Sequence, residues 1–182
     1  MQRQMSGPEY GMCMASRQAP INFALMACIE GAFTHERLQA ALATARGSHP
    51  LAGVRVVWGA GGGYFDTRDV PPTPVRHVAW HTPEDWLDVA THELTQPFAE
   101  EAGPLVRLVW LQGEGISDLV LVCHHGAADG LAAAYFLRDV VLALGGEPVM
   151  ARVPRDVPPL SDLIPKRVRR DPGMMFKLAG VK

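Results

Sequence analysis

The sequence has no marked excess of charge of either sign. Its 182 residues include 17 lysines and arginines and 19 aspartates and glutamates, which give a formal net charge of −2. Proteins that bind nucleic acid usually carry a clear basic excess, because cationic side chains must neutralise the phosphates. The charge balance therefore gives no overall electrostatic argument for a nucleic-acid-binding function.

Cysteines and long apolar runs are also scarce. The three cysteines, Cys13, Cys28 and Cys123, have no CxxC spacing, and their odd number argues against a disulfide framework or a zinc site. No stretch reaches the 18 or so uninterrupted apolar residues of a membrane span, and the first residues lack the apolar core of a signal peptide. We therefore expect a cytoplasmic protein with reduced thiols, no bound metal and no membrane span.

The composition that remains is that of a globular domain with its own core. Apolar residues make up 48% of the chain and charged residues 20%. From residue 147 onward prolines recur, and a basic run, KRVRR, occupies residues 166–170. We divide the chain into a folded unit over residues 1–146 and a proline-rich, basic crossover or linker over residues 147–182.

Hydrophobic patterning predicts alternating strands and helices in the first unit. Residues 21–30 are almost all apolar and suit a strand buried on both faces. Thr34 provides a helix start, and the buried stripe that follows is Leu38, Ala41, Leu42 and Ala45. Further elements are expected as strands over 51–58, 75–80, 105–112 and 118–123, and as helices over 82–96 and 131–144. This order predicts an α/β sandwich with a mixed, largely antiparallel sheet backed by helices.

A glycine-rich segment at residues 59–63 needs a separate interpretation. Such a loop cradles phosphate when a helix N-terminus follows it directly. Here Tyr64 and Phe65 follow in a strand-like pattern, so the sequence favours a hairpin turn.

The segment most indicative of chemistry is 124–130, which reads HHGAADG. It follows the apolar run 119–123 and precedes an alanine- and leucine-rich helical pattern. A histidine at a strand end is held in direction by the scaffold, while the adjoining loop admits a substrate. His125 is therefore our candidate general base, since imidazole accepts protons near neutral pH. His124 points to the opposite side by strand alternation and is expected to be structural.

Other roles for the same segment stay open at this stage. His124, His125 and Asp129 could ligate a metal, although adjacent strand histidines diverge and no further ligand pair follows at helical spacing. Cys123 could be a nucleophile, although its apolar run favours a buried structural thiol. An exposed backbone N–H beside His125 could stabilise an oxyanion.

The motif and its surroundings resemble the chloramphenicol acetyltransferase-like acyltransferases, a superfamily that includes the condensation domains of peptide synthetases. The resemblance covers roughly residues 20 to 145. Besides HHGAADG it rests on the strand at 22–31, the Ser-His-Pro-Leu segment at 48–51, the Pro-Phe pair at 97–98 and Gly-Pro-Leu-Val-Arg at 103–107. The proline-rich stretch 157–165 resembles the bacterial dimycocerosyl-transferase-like group.

The resemblance implies one lobe of an enzyme that moves an acyl group from a coenzyme A or carrier-protein thioester to a hydroxyl or amine. It implies His125 as the base, acyl-CoA or a phosphopantetheinyl thioester as co-substrate, and no permanently bound cofactor. Asp129 is implied to pair with a loop-holding arginine. Arg55 is our candidate, since Gly53 stands where relatives often have that arginine. Gly126 and Gly130 are expected to allow close backbone approach and a tight turn.

Monomeric members of this superfamily carry two such units with a tunnel between them, whereas this chain carries one. We therefore expect a second lobe, as a separate chain or another copy, and an inactive isolated chain. The apolar tail and the basic run 166–170 leave two interpretations open: a solvated linker, or contact with coenzyme A phosphates or an acidic carrier protein. A non-catalytic carrier-binding or scaffold half is the alternative function. The apolar residues of that tail are Met174, Met175, Phe176, Leu178 and Val181.

Overall fold

A computed structural model describes residues 1–150 of the chain. The basic run 166–170, the stretch 157–165 and the apolar tail lie outside the described residues. The helices are α1 (Gly7–Ser16), α2 (His35–Ser48), α3 (Asp85–Leu94) and α4 (Gly130–Gly145). The strands are β1 (Gln2–Gln4), β2 (Asn22–Glu30), β3 (Arg55–Gly59), β4 (Gly62–Asp66), β5 (Val75–Ala79), β6 (Val106–Gln112) and β7 (Ile116–His124).

The strands form two sheets. The larger has the order β2-β7-β6-β5, in which β5 and β6 run parallel and the other neighbours antiparallel. The smaller is antiparallel, with the order β1-β4-β3. The expected mixed, largely antiparallel α/β architecture is confirmed, and it is divided over two sheets.

Strand alternation along β7 separates two cores on the faces of the larger sheet. Leu119 and Leu121 point toward α2 and α4, where Leu42 and Phe136 complete one core. Val120 and Val122 point the other way, toward Ala90 and Trp86 of α3. A third, smaller core lies between α1 and the β3–β4 hairpin. The motif strand is therefore covered on both faces by helices.

Some expected boundaries were wrong. The strand expected over 51–58 begins only at Arg55, because Pro50–Gly53 form a 3-10 turn. The strand at 21–30 is only half-buried, because β2 pairs with β7 alone and forms the edge of the described sheet. Helix α3 begins at Asp85 and not near Thr82, because residues 82–84 form a turn in which the Asp85 N–H donates to the Thr82 oxygen at 3.2 Å.

The glycine-rich segment forms the hairpin that the sequence favoured. Gly59 and Gly62 are directly paired, which leaves a two-residue turn between β3 and β4. Gly62 has a φ of +116°, a conformation that L side chains rarely adopt. Because a strand and not a helix follows this turn, the segment has no geometry for cradling phosphate.

Arg107 ties the end of α3 to the loop that leads into β6. Its guanidinium donates to the backbone oxygens of Glu93 at 2.7 Å and Gln96 at 2.9 Å, and it lies 4.2 Å from the Phe98 ring centre. It also bonds the buried Glu93 carboxylate, together with Arg76. Burial alone would raise the pKa of Glu93, but the hydrogen bonds from Arg107 and Arg76 hold that pKa below its usual value. The path of residues 95–104 is fixed by this cluster.

Glu93→Gln should lower the free energy of unfolding at pH 7 by about 2 kcal/mol, because the guanidinium of Arg107 loses its charged partner. A carboxyl with a lowered folded-state pKa stabilises above its unfolded pKa, and this contribution is lost as the pH falls below about 4.5. The variant should therefore lose less stability than the wild type between pH 7 and 4 in urea titrations. Glu114→Gln, in the exposed β6–β7 turn, is the control; equal pH dependence in all three proteins would contradict this assignment.

Candidate active site

The motif occupies the turn between β7 and α4, and both of its ends are fixed. At its start, the His125 N–H donates to the Ile21 oxygen at 2.9 Å. At its end, the Asp129 carboxylate accepts from the Ala132 N–H at 2.7 Å and caps α4. The Asp129 carboxylate thus serves as the N-cap of α4. The orientation of His125 comes from its backbone hydrogen bond to Ile21.

His124 is the buried member of the histidine pair, with 1% of its surface exposed. Its Nδ1 accepts from the Gly126 N–H at 3.0 Å, so the pattern assigns the ring proton to Nε2. That Nε2 lies 3.1 Å from the Glu100 carboxylate. Burial would raise the pKa of Glu100, but the hydrogen bonds from His124 and Ser16 hold it below its usual value. Glu100 could not be identified from the sequence, because nothing in the pair Glu100-Glu101 marks one glutamate as the partner of a buried histidine.

His125 is the exposed member, and it faces a groove of about 300 Å³ between α1 and the start of α4. Its ring packs against Phe23, with centres 5.0 Å apart. Met12, Leu51 and Ala128 form other parts of the groove wall. No hydrogen bond engages the His125 ring within residues 1–150, so its nitrogens are available to a ligand.

Glu9 is the other ionisable side chain of the groove besides His125 and Asp129. Its carboxylate is held by Arg3 at 2.7 and 2.9 Å and accepts from the Ser6 N–H at 2.7 Å. Burial raises and these hydrogen bonds lower the pKa of Glu9, and the net result is a lowered pKa. Glu9 therefore stays ionised and engaged, which leaves His125 as the free proton acceptor of the groove.

An apolar cavity of about 200 Å³ lies beside this groove. The two spaces share the walls Leu51, Ala127, Ala128 and Ala132. Its other lining residues include Ala133, Val106, Cys123, Phe136 and His49. These walls are largely apolar, so the space beside the His125 groove suits an apolar group.

His49 lines this cavity and has a buried partner. Its Nε2 lies 2.8 Å from the Asp139 carboxylate, and its ring meets Phe136 edge-on at 5.5 Å. Burial would raise the pKa of Asp139, but hydrogen bonds from His49 and Arg138 lower it. His49 thus caps the end of α2 and also joins that end to α4.

The expected pair between Arg55 and Asp129 is not formed. The Arg55 guanidinium lies 3.8 Å from the buried Asp66 carboxylate on the neighbouring strand. The hydrogen bonds from Arg68, with smaller charge contributions from Arg68 and Arg55, lower the pKa of Asp66 to about 2. At Gly53 the space is already filled, because an added Cβ would lie 2.0 Å from Arg46 Nε.

The two motif glycines differ in what surrounds them. An added Cβ at Gly126 would lie 2.6 Å from Cys13 Sγ and 3.0 Å from the His124 ring. An added Cβ at Gly130 would meet nothing within 4 Å, and its φ is not positive, so the expected close approach exists at Gly126 alone of the two.

The backbone N–H groups nearest His125 are already engaged. The N–H of Gly126 is taken by the His124 ring, and those of Ala127 and Ala128 donate to the His124 oxygen at 3.0 and 3.3 Å. The His125 N–H is taken by Ile21. The expected oxyanion donor directly beside His125 is therefore not formed by these four groups.

The structure does not support the alternative chemistries. Burial raises the pKa of Cys123 and of Cys13 to about 12, so neither thiol ionises near neutral pH. Among residues 1–150, no three histidine, cysteine, aspartate or glutamate side chains converge as metal ligands.

None of the helices described over residues 1–150 has the length and apolar character of a membrane crossing.

A second cleft, of about 530 Å³, lies between α2 and residues 67–73. Its charged side chain, Arg46, is already engaged by the backbone oxygens of Pro71 at 2.6 Å and Val70 at 3.3 Å. No histidine or carboxylate lines it. This cleft therefore offers no free ionisable side chain for catalysis.

No family model and no curated protein matches the chain. Solved structures do. The tallysomycin biosynthesis protein TlmII matches 93% of this chain and 44% of its own length, with a TM-score of 0.74 and 24% identity. A variant of the starter condensation domain of rhizomide synthetase RzmA matches 98% and 48%, with a TM-score of 0.72 and 18% identity.

The first condensation domain of the CDA synthetase matches 84% of this chain and 43% of its own length, with a TM-score of 0.68 and 17% identity. An RzmA variant was also solved in complex with C8-CoA. The chain spans less than half the length of these structures. Its α/β fold is therefore similar to that of part of these structures, two of which are condensation domains, and this likeness confirms the expected fold class.

Gly126→Ala should destabilise the protein by about 1–3 kcal/mol, because the new methyl overlaps Cys13 Sγ and the His124 ring. Gly130→Ala is the matched control: its methyl enters open space at the first turn of α4, so it should be neutral or stabilising by up to about 1 kcal/mol. Thermal and urea unfolding measure both variants. Equal stability of the two would contradict the packing described for the motif turn.

Proposed function

We propose that this chain supplies the base-bearing lobe of an acyltransferase, which moves an acyl group from a coenzyme A or carrier-protein thioester to a hydroxyl or amine. The observation that carries the proposal is the exposed His125 imidazole, which lies in a groove beside an apolar cavity. The neighbouring carboxylates Glu9 and Asp129 are both engaged in internal hydrogen bonds. His125 is thus the group in this groove suited to accept a proton.

The proposed reaction needs no covalent enzyme intermediate. His125 takes the proton of the acceptor hydroxyl or amine while the acceptor oxygen or nitrogen attacks the thioester carbonyl carbon. The tetrahedral intermediate then collapses, the carbon–sulfur bond breaks, and the imidazolium returns the proton to the departing thiolate. Holding donor and acceptor together in the groove supplies much of the rate.

We further propose that the apolar cavity receives the acyl chain of the donor. The walls that it shares with the groove are mainly alanines, and its lining also includes Phe136 and His49, which is held by Asp139. A volume of about 200 Å³ is below the roughly 300–1,000 Å³ of most small-molecule pockets. This size favours a short or medium acyl chain, and the C8-CoA complex of the RzmA variant supports that class of donor.

A second lobe completes the site in this proposal. The groove is open on one side, and large apolar side chains lie exposed at the two helices beside it: Met12 on α1, and Leu131 and Tyr135 on α4. Leu131 is 65% exposed at the start of α4, immediately after the motif. Exposed apolar surface of this kind is typical of an interface, and the half-length match to the condensation domains favours a second lobe as its occupant.

The same half-length match favours a second candidate function, a non-catalytic lobe that binds an acyl donor or carrier protein. The two candidate functions differ in one respect: the acyltransferase forms product, whereas the non-catalytic lobe only binds. Binding of acyl-CoA or an acylated carrier protein without product, in the assembly that includes a second lobe, would favour the binding function over the enzyme.

His125→Ala should lower the rate of acyl transfer by about 10²- to 10⁴-fold in the assembly of this chain with its second lobe, because the proton acceptor is lost. Its melting temperature should be unchanged, since the His125 side chain is exposed. His35→Ala, at an exposed position of α2, is the control and should keep full activity. Thiol release from an acyl-CoA donor is the measurement; near-normal release by His125→Ala would refute the base assignment.

Ala133→Leu should fill the apolar cavity and weaken binding of octanoyl-CoA by at least about tenfold, because several methylene groups lose their buried site. Acetyl-CoA, which does not need the cavity, should bind as it does to the wild type. Ala134→Leu, on the exposed side of the same helix, is the matched control. Calorimetric titration measures all three proteins, and undiminished octanoyl-CoA binding by Ala133→Leu would contradict the chain site.

A further inference from the structure

The direction of His125 is set by the two peptide groups that flank its Cα. The peptide before it is held by the hydrogen bond from the His125 N–H to the Ile21 oxygen, at 2.9 Å. The peptide after it is held by the hydrogen bond from the Gly126 N–H to His124 Nδ1, at 3.0 Å. Because both planes are fixed, the Cα–Cβ bond of His125 has one direction into the groove.

The second of these hydrogen bonds depends on the tautomer of a buried ring. His124 Nδ1 accepts from Gly126 only if it carries no proton, so the proton must lie on Nε2. With the proton on Nδ1, the His124 Nδ1–H and the Gly126 N–H would face each other, and two buried donors would be left without an acceptor. Something must therefore hold the His124 proton on Nε2.

Glu100 meets this requirement. Its carboxylate lies 3.1 Å from His124 Nε2, and an ionised carboxylate can only accept. The Ser16 hydroxyl of α1 donates to the same oxygen, which holds the carboxylate in place. The backbone also holds Glu100 in place, because the Val56 N–H donates to the backbone oxygen of Glu100 at 2.7 Å. Glu100 is 14% exposed in its side chain, so little water competes for these bonds.

We propose that Glu100 is a positioning residue for His125, acting through the tautomer of His124. The carboxylate selects Nε2–H, the bare Nδ1 then binds the Gly126 N–H, and the fixed peptide aims His125 into the groove. The catalytic consequence rests on the proposed acyl transfer, whereas the tautomer and the backbone geometry do not.

The test is nuclear magnetic resonance of the full chain with 15N-labelled histidine, in which long-range proton–nitrogen correlations report the tautomer of each ring. The wild type should show His124 as Nε2–H. Glu100→Gln should populate both tautomers, because the amide can donate to Nε2 as well as accept from it. Glu100→Leu should do the same and speed hydrogen exchange of the Gly126 amide at least about tenfold. In both variants the nuclear Overhauser contact between His125 and Phe23 should weaken.

Glu101→Gln and Glu101→Leu are the matched controls, since the neighbouring Glu101 is exposed and should leave every signal unchanged. If Glu100→Leu does not fold, Glu100→Gln alone decides, as it keeps size and polarity. A Glu100→Gln protein that keeps His124 as Nε2–H, with the His125–Phe23 contact unchanged, overturns the proposal.

Transfer kinetics separate this proposal from the proposed function. In the assembly with a second lobe, Glu100→Gln should lower kcat at least about tenfold with little change in KM, because the base is misaligned while substrate contacts persist. Absence of any transfer by the wild type would refute the function and leave the tautomer result standing. Normal kcat in a Glu100→Gln protein with mixed His124 tautomers would refute the positioning role and leave the function standing.

Discussion

The hydrogen bond from the Gly126 N–H to the buried ring of His124 is the constraint on which the site depends. It lets a strand end turn into a helix without leaving a buried backbone donor unpaired. It also excludes a side chain at position 126, where Cys13 and the His124 ring already occupy the space. This contact, together with the bond from the His125 N–H to Ile21, fixes the backbone on both sides of His125.

Carboxylates with little solvent exposure hold the segments around that turn in place through hydrogen bonds. Glu93 holds the end of α3 through Arg107, Glu100 holds His124, and Asp139 joins α4 to His49 at the end of α2. Each carboxylate is compensated by hydrogen bonds that keep its pKa below the usual value in spite of burial. The charged side chains around the site are therefore held by hydrogen bonds. The alanine-lined cavity, by contrast, is an open apolar space. Such an arrangement suits a reaction in which position, more than covalent chemistry, lowers the barrier.

The sequence was sufficient to predict the elements around the motif, because their signals are local. The apolar run before His124 and the helical pattern after Asp129 define β7 and α4 from neighbouring residues alone. The partners of the motif could not be predicted in the same way. Glu100 and Asp139 reach their histidines across 24 and 90 residues of chain, and only the folded structure brings them together. Arg55 was assigned to Asp129 for lack of this information, whereas register pairs β3 with β4 and so places Arg55 beside Asp66.

The central claim is that the His125 groove and the adjoining cavity form one acyl-donor site. Amide shifts of the 15N-labelled full chain on addition of octanoyl-CoA test it most directly, with coenzyme A as the reference. The claim predicts octanoyl-dependent shifts at His125, Ala128 and Ala133, and smaller or no shifts at these positions with coenzyme A. Octanoyl-dependent shifts confined to the cleft beside Arg46, with the motif unchanged, would contradict it.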